Sequence, residues 1–183
     1  MNAAAQTLRQ PVVARPIDDT AQYLTFLVGG EPFAIGILGI KEIIEYAGLT
    51  EVPLMPSCIR GVINVRGAVV PVLDLAARFG RQPTAITRRT CIVIVEVASG
   101  DERHDMGIMV DAVSAVLEIP LAEIEPPPAF GARIRTDFIA GMGKVDGRFV
   151  ILLEIDKVLS VDEIGELARA GADAGAEAGG AAP

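Results

Sequence analysis

The sequence predicts an all-β protein made of two small β-barrels that are related by an internal duplication. Three observations predict it: short runs of β-branched and aromatic residues, frequent Gly and Pro between those runs, and a long segment that occurs twice. The chain contains 19 Gly and 12 Pro, and no segment predicts a long helix. Short strands separated by turn residues are more typical of barrels than of layered α/β sheets.

The duplicated segment covers residues 59–75, which align without a gap onto residues 139–155. Both copies keep two glycines, a closing acid (Asp74 or Glu154) and a set of apolar positions, which are Val65 with Val145, Val69 with Phe149, Val72 with Leu152, Leu73 with Leu153 and Leu75 with Ile155. Each copy predicts a β-hairpin whose two-residue turn, Arg66-Gly67 or Asp146-Gly147, requires positive φ. Because the tips carry opposite charges, the duplication predicts one architecture with two different surfaces.

Each hairpin is preceded by a further pair of strands and then by a segment of ambiguous type. The strands are predicted over residues 23–28 and 33–37 in the first half and over residues 91–97 and 106–110 in the second. The segments that follow, residues 40–46 and 110–116, combine a helical spacing of apolar residues with a β-branched content that suits a strand. Helix and strand both remain open for these two segments.

Proline-bearing connections, residues 52–56 and 119–138, lead from the ambiguous segments to the hairpins. The run Pro126-Pro127-Pro128 predicts a rigid spacer, with a ligand for an aromatic groove as the alternative.

Short helices are predicted after the hairpins, at residues 74–79 and 156–159. Ser160 and Glu163 match the spacing of a capping box, in which each residue caps the other's backbone. The sequence therefore predicts a C-terminal helix over residues 161–170.

The duplication also predicts the domain organisation. We expect one domain over residues 20–165, with a first lobe at residues 20–85 and a second lobe at residues 86–165. A unit of about 70 residues is only marginally stable alone, so we expect the two lobes to pack together. Residues 1–19 predict a flexible arm, and the Ala- and Gly-rich residues 171–183 predict a disordered tail.

Composition and charge favour protein partners. The net charge of −8 and the absence of Trp disfavour binding to nucleic acid, which depends on Lys and Arg contacts to phosphate. No run of about 18 apolar residues predicts a membrane span, and the first residues lack the pattern of a secretory signal, so we expect a cytoplasmic protein.

Few residues are suited to catalysis or to metal binding. His104 is the single histidine and lies in a polar run that predicts a solvated loop, while Cys58 and Cys91 are widely separated and predict free thiols. Asp74 and Glu154 could act as a pair of carboxylates, but an acid at this position more commonly caps a short helix. The sequence therefore predicts no enzyme, no metal site and no cofactor.

Arg66 stands out because a hairpin tip favours Gly, Asn or Asp. A forked cation at this position is available for a carboxylate, and a merely solvated arginine is the alternative. Glu42 is the partner that we expect for it, although Glu42 and Glu45 also fit a solvated strand edge.

The run from Gly61 to Leu75 resembles the signature of the CheW-type coupling proteins of bacterial chemotaxis. Residues 107–128 and 138–159 are similar to the second lobe of that family, and the resemblance extends in order over residues 22–161. It implies two five-stranded SH3-like barrels around a pseudo-twofold axis, with short helices, and an adaptor without catalysis.

The resemblance also implies the partners. Proteins of this family tie the histidine kinase CheA, through its regulatory domain, to the cytoplasmic tips of chemoreceptors, and like lobes pair and can close into rings. We therefore expect a cytoplasmic adaptor in receptor arrays at the inner face of the membrane, without insertion into it. A same-type adaptor in a parallel motility or second-messenger pathway is one alternative, and a ligand-binding double barrel is another.

The family's functional residues map onto this chain position by position. Arg66 matches the family's functional arginine, and Glu42 matches an acid that affects receptor coupling and kinase activation. The remaining candidates for the partner-binding site are apolar positions that predict either a groove or the core, namely Ile43, Ile44 and Val62. Ala76 stands where relatives often have arginine, so we expect an altered surface contact there.

Overall fold

The computed structural model describes residues 19–128, 135–167 and 169. Its strands are β1 (Thr20–Val28), β2 (Glu31–Gly36), β3 (Ile40–Glu45), β4 (Ile59–Val65), β5 (Ala68–Asp74), β6 (Cys91–Ser99), β7 (Glu102–Val110), β8 (Ala112–Pro120), β9 (Ile124–Glu125), β10 (Ile139–Val145) and β11 (Arg148–Leu153). The helices are α1 (Leu75–Arg78), α2 (Ile155–Val158), a segment at residues 161–167, and the 3-10 turns Ile37–Gly39, Leu121–Glu123 and Thr136–Phe138. The arm at residues 1–18 and the tail at residues 171–183 lie outside the described residues.

The strands form two curled sheets. One sheet has the order β8-β1-β2-β11-β10-β9 and the other has the order β3-β6-β7-β5-β4. The neighbours are antiparallel except for β2 with β11 and β5 with β7, which are parallel. The predicted all-β class is confirmed, since each sheet is a small five-stranded SH3-like barrel and the two-residue β9 extends one of them.

The lobes that we expected at residues 20–85 and 86–165 are not the units that the sheets form. The first hairpin, β1 and β2, lies in the sheet of β8 to β11, and the hairpin of β6 and β7 lies in the sheet of β3 to β5. The two halves therefore exchange their opening hairpins. Pattern alone could not show this exchange, because the duplication makes both hairpins equally suited to either sheet.

The exchange places a large apolar core between the two sheets. Alternate residues of both opening hairpins point into it, together with residues from the ends of β5 and β11, and its fully buried members include Leu24, Phe26, Phe33, Ile35, Leu73, Val93, Val95 and Ile108. Each sheet also closes around a smaller interior of its own. Since side chains alternate along a strand, each opening hairpin supplies both the shared core and one barrel interior.

Tertiary pairing decides the type of the two ambiguous segments. Both are strands, β3 pairing with β6 and β8 pairing with β1. The two predicted hairpin turns are confirmed, since φ is 51° at Arg66 and 49° at Asp146. In the first turn, the Asn64 side-chain oxygen accepts a hydrogen bond from the Gly67 N–H at 2.9 Å.

The acid that follows each hairpin is in an N-cap position in both copies, but its side chain acts as a cap in one copy only. Asp74 is the N-cap of α1, and its carboxylate accepts hydrogen bonds from the Ala76 and Ala77 N–H groups. Glu154 occupies the N-cap position of α2, but its exposed side chain makes no capping hydrogen bond among the described residues. The expectation of a cap is therefore confirmed for Asp74 and wrong for the Glu154 side chain.

The C-terminal helix is attached to the body by charged side chains. Ser160 caps it, its hydroxyl oxygen accepting from the Glu163 N–H at 3.5 Å. The Glu163 carboxylate does not complete the expected capping box, because it binds Arg78 at 2.7 Å and Arg135 at 3.1 Å. Hydrogen bonds from Arg135 and then from Arg78 lower the pKa of Glu163. The helix is described to residue 167, and the predicted end at Ala170 lies outside the described residues.

The sulfur and imidazole groups lie apart from one another. Cys58 is buried and Cys91 is half-buried, and both thiols are free, as expected. Burial raises the pKa of Cys58. His104 lies within β7 and not in a loop, because the second opening hairpin is longer than predicted. Among the described residues, no helix has the length and apolar character that a membrane crossing requires.

Candidate protein-interaction site

The hairpin tip of β4 and β5 reaches across the open side of the five-stranded sheet. Arg66 is the first turn residue, and its guanidinium Nη2 lies 3.4 Å from Glu42 Oε2 on β3. The Arg66 side chain remains 82% exposed. The structure therefore brings together the two charged residues that the sequence analysis paired, and it leaves most of the arginine available to a partner.

The apolar candidates divide between two faces. Ile44 pairs with Ile92 and packs against the interior of the five-stranded barrel, where Val62 lies nearby across the gap between β3 and β4. Both residues line a groove of about 560 Å³ in this gap. Ile43 points to the opposite face and is 43% exposed. The structure thus places Ile44 and Val62 at one groove and separates Ile43 from them.

A second apolar groove, which the sequence analysis missed, lies beside the same hairpin. Strands β5 and β7 pair only over Val72–Asp74 and Gly107–Met109, and they diverge before these residues. Pro71 gives a physical reason, because it has no N–H group to continue the hydrogen-bond ladder. The groove has a volume of about 640 Å³ and includes the side chains of Met55, Val69, Val70, Met106 and Ile164. We call it the wedge groove.

The wedge groove has an exposed apolar wall and a charged rim. Val69, the second residue of β5 and close to the hairpin tip, is 70% exposed. At the rim, Lys41 Nζ lies 2.6 Å from Asp105 and 3.3 Å from Glu96, and Arg103 lies 2.7 Å from Glu96. The pairing of β3 with β6 shifts register between Ile40 and Glu42, so Lys41 has no partner in the ladder.

The rim charges form one connected network. Hydrogen bonds to Asp105 and then to Glu96 raise the pKa of Lys41, and hydrogen bonds from Arg103 and then from Lys41 lower the pKa of Glu96. Both shifts favour the charged forms of Lys41 and Glu96. The network contains two basic side chains, Lys41 and Arg103, and two acidic ones, Glu96 and Asp105. Their signs balance, so the rim can orient a polar partner without strongly attracting either charge. Sequence spacing could not reveal this network, because it joins residues of three strands.

Metal-binding side chains do not cluster in the part of the chain that the structure describes. No group of three or more His, Cys, Asp or Glu side chains converges in a way that could hold a metal ion within residues 19–128 and 135–167. Asp74 and Glu154, the repeated carboxylates, occupy the N-cap positions of α1 and α2 in two separate sheets, and among the described residues only the Asp74 side chain makes a capping hydrogen bond. Apolar strand surface with a polar rim is instead the anatomy of a protein interface.

Ala76 does not lie at the surface position that we expected. It is 2% exposed, in the first turn of α1. Replacing Ala76 would therefore disturb the packing of α1 against the core rather than a surface contact with a partner.

Comparison with known proteins identifies the family. The model of the CheW-like domain family matches residues 22–163. The chain is 34% identical to the chemotaxis protein CheW of Klebsiella aerogenes over 143 residues, which cover 78% of this chain and 84% of that protein. It is 29% identical over 150 residues to Protein FrzA of Myxococcus xanthus, covering 81% of this chain and 91% of that protein.

A solved structure supports the same family assignment. The crystal structure of the scaffolding protein TtCheW from Thermoanaerobacter tengcongensis superposes with a TM-score of 0.71 at 31% identity, covering 78% of this chain and 94% of that chain. Sequence and fold agree over the same part of the chain, and the chain therefore belongs to the CheW-like domain family.

Proposed function

We propose that this protein is a non-catalytic adaptor that couples chemoreceptors to the histidine kinase CheA. Its family includes chemotaxis proteins and a scaffolding protein. The observation that carries the proposal is the exposed Arg66, which stands at a strained turn position over Glu42 and next to the wedge groove. An arginine that gains little from its own fold is suited to an external carboxylate.

The wedge groove supplies the apolar part of the interface. Its exposed residue Val69 and its balanced charges fit a modest, reversible contact with an amphipathic segment such as a receptor tip. The regulatory domain of CheA then docks elsewhere on the two-barrel body, and pairing of like barrels allows rings to form. The adaptor biases kinase activity by binding the two signalling states with different affinity, and it performs no chemistry.

Co-sedimentation with receptor-containing membranes tests the proposal. The purified full chain is mixed with these membranes, with and without CheA, and both bound protein and kinase activity are measured. We expect saturable binding that recruits and activates the kinase, weakened by Arg66→Ala. The matched control is Asp146→Ala, which changes the equivalent tip of the second hairpin and should leave coupling unchanged.

A second pair of variants tests the wedge groove by the same assay. Val69→Asp places a charge on the exposed wall of the wedge groove and should abolish receptor binding. The matched control is Phe149→Asp, which places a charge at the repeat-equivalent position of the other sheet and should leave receptor binding unchanged. Both side chains are exposed, so neither change should unfold the protein. Wild-type binding by folded Arg66→Ala and Val69→Asp would contradict the assigned surface, and no binding by the folded wild type would contradict receptor coupling itself.

The pathway is a separate part of the proposal. Relatives with the name CheW and the relative named FrzA match the chain over similar lengths. We assign the chain to a receptor array beneath the cytoplasmic membrane. Activation of CheA in the co-sedimentation assay supports this pathway, whereas receptor binding without CheA activation favours a parallel pathway with another kinase.

A further inference from the structure

A cleft on another part of the molecule is flanked by two adjacent arginines. It lies between the connection from α1 to β6, the turn after β1 and the start of β8, and its volume is about 690 Å³. Arg88 and Arg89 both line it, and both are exposed. The cleft shares no lining residue with the wedge groove or with the groove between β3 and β4.

The connection that carries these arginines is unusually basic for this chain. Residues 75–95 contain four arginines and no acidic residue, although the whole chain has a net charge of −8. Arg78 and Arg81 are neutralised by Glu163 and Glu31. Among the described residues, Arg88 and Arg89 form no ion pair. Two cations are therefore left at the cleft without an internal role.

Hydrogen bonds fix the backbone that presents the two arginines. Thr84 binds the buried Asp74 carboxylate through both its N–H and its hydroxyl group, each at 2.8 Å. Further along, the Thr87 N–H donates to the Thr90 hydroxyl at 2.8 Å, and the Arg89 N–H donates to the Thr87 hydroxyl at 3.1 Å. A partner therefore has to order only the arginine side chains, which lowers the entropic cost of binding.

The walls of the cleft decide which anion fits. They are largely apolar, and their apolar members are Leu27, Ala76, Pro83, Ala85 and Ala112. Asp111 is the acidic lining residue, and its carboxylate accepts a hydrogen bond from the Gly30 N–H at 3.0 Å. Since two arginines and one carboxylate line the cleft, its lining has a net positive charge. A bare phosphate would lose hydration against apolar walls, whereas an apolar side chain next to carboxylates satisfies both the walls and the arginines.

We propose that this cleft is a docking site for an acidic linear segment of a partner protein, with an apolar side chain in the cleft and carboxylates on Arg88 and Arg89. The site does not depend on the proposed receptor contact, since it shares no residue with the wedge groove and does not include Arg66. Guanidinium groups bind carboxylates through paired hydrogen bonds, so the arginines supply orientation as well as charge.

Fluorescence anisotropy with a defined probe tests the proposal. The probe is a fluorescein-labelled peptide in which one leucine is flanked by Asp and Glu, and it is titrated with the full-length protein. We expect saturable binding that weakens at least about tenfold in the double variant Arg88→Gln, Arg89→Gln and weakens as salt rises from about 0.05 M to about 0.5 M. Arg148→Gln, an exposed arginine on β11, is the matched control and should bind as wild type.

Two further comparisons separate the apolar contribution from the charged one. Ala85→Leu fills the cleft without changing its charge and should also weaken binding, as should replacement of the peptide's leucine by serine. The proposal would be overturned by no binding of the probe, by equal binding of the double variant, or by equal binding of a peptide with Asn and Gln in place of the acids. Displacement of the probe by inorganic phosphate at equal concentration would overturn it in favour of a small-anion site.

Discussion

Replacement of Asp74 gives the sharpest test of how the fold is held together. Its carboxylate is fully buried and accepts five hydrogen bonds: from Arg60 Nη1 at 2.8 Å, from the Thr84 N–H and hydroxyl at 2.8 Å each, and from the Ala76 and Ala77 N–H groups at 3.0 and 3.4 Å. These donors come from β4, from α1 and from the connection to β6. The carboxylate therefore ties together three parts of the chain.

Asp74→Ala leaves all of these donors without their acceptor. Arg60 keeps 29% of its side chain exposed and can turn to water, but the buried donors of Thr84 and Ala76 lose their acceptor, so we expect a cost of about 3 to 5 kcal/mol. For a chain of this size, that loss corresponds to a fall in Tm of about 6 to 20 °C. Urea unfolding followed by circular dichroism measures the free energy of unfolding, and a thermal melt measures the Tm.

Glu154→Ala is the matched control, since Glu154 is the repeat-equivalent acid. Its side chain is exposed and makes no capping hydrogen bond among the described residues, so we expect a change below about 0.5 kcal/mol. If the two variants differ by less than about 1 kcal/mol, the burial and hydrogen bonds of Asp74 do not have the energetic role that we assign to them.

Three further predictions concern stability. Leu73→Ala removes a fully buried core side chain and should cost about 2 to 5 kcal/mol in urea unfolding, whereas the exposed Arg66→Ala should cost less than about 1 kcal/mol; equal losses would contradict the surface assignment of Arg66. Gly61 has a φ of 152°, and an added Cβ would overlap the Thr50 carbonyl oxygen, so Gly61→Ala should lower the Tm strongly, while Gly36→Ala, whose added Cβ meets no atom within 4 Å, should not. The lowered pKa of Glu163 means that its ion pairs stabilise the fold at pH values above the ordinary Glu pKa of about 4.3, and that this stabilisation is lost as pH falls through the lower pKa of the folded protein. In Glu163→Gln, the free energy of unfolding should therefore fall less steeply as the pH is lowered through this range. An unchanged pH dependence would refute this role of Glu163.

Local structure was largely predictable from the sequence. The tips at Arg66 and Asp146 were predicted because two residues joining alternating apolar strands permit few turn types. The terminal helix was predicted from the capping-box spacing of Ser160 and Glu163, of which the structure keeps the Ser160 cap while Glu163 binds Arg78 and Arg135 instead. In each case, the signal lies within a few residues of the structure that it specifies.

The arrangement of distant segments was not predictable. The segment from Ile40 to Glu45 became a strand because β6 pairs with it, and its own sequence permits a helix as well. The wedge groove depends on the point where β5 and β7 diverge, and its charged rim joins residues from β3, β6 and β7. The pairing of Arg66 with Glu42 was expected, and the structure shows it, but its role in coupling stays a prediction.

The exchange of opening hairpins explains how two barrels can act as one adaptor. If each half formed its own barrel, the two units would meet through an ordinary interface and could shift against each other. Here β1 and β2 complete one sheet while β6 and β7 complete the other, and their outward faces fill the same core. Movement between the barrels would therefore expose residues such as Phe33 and Ile108, which are fully buried. Because apolar cores resist such deformation, the surface around Arg66 and the surfaces of the other barrel are held at a fixed distance and orientation. A rigid connection of this kind suits an adaptor whose partners, and not the adaptor itself, change conformation.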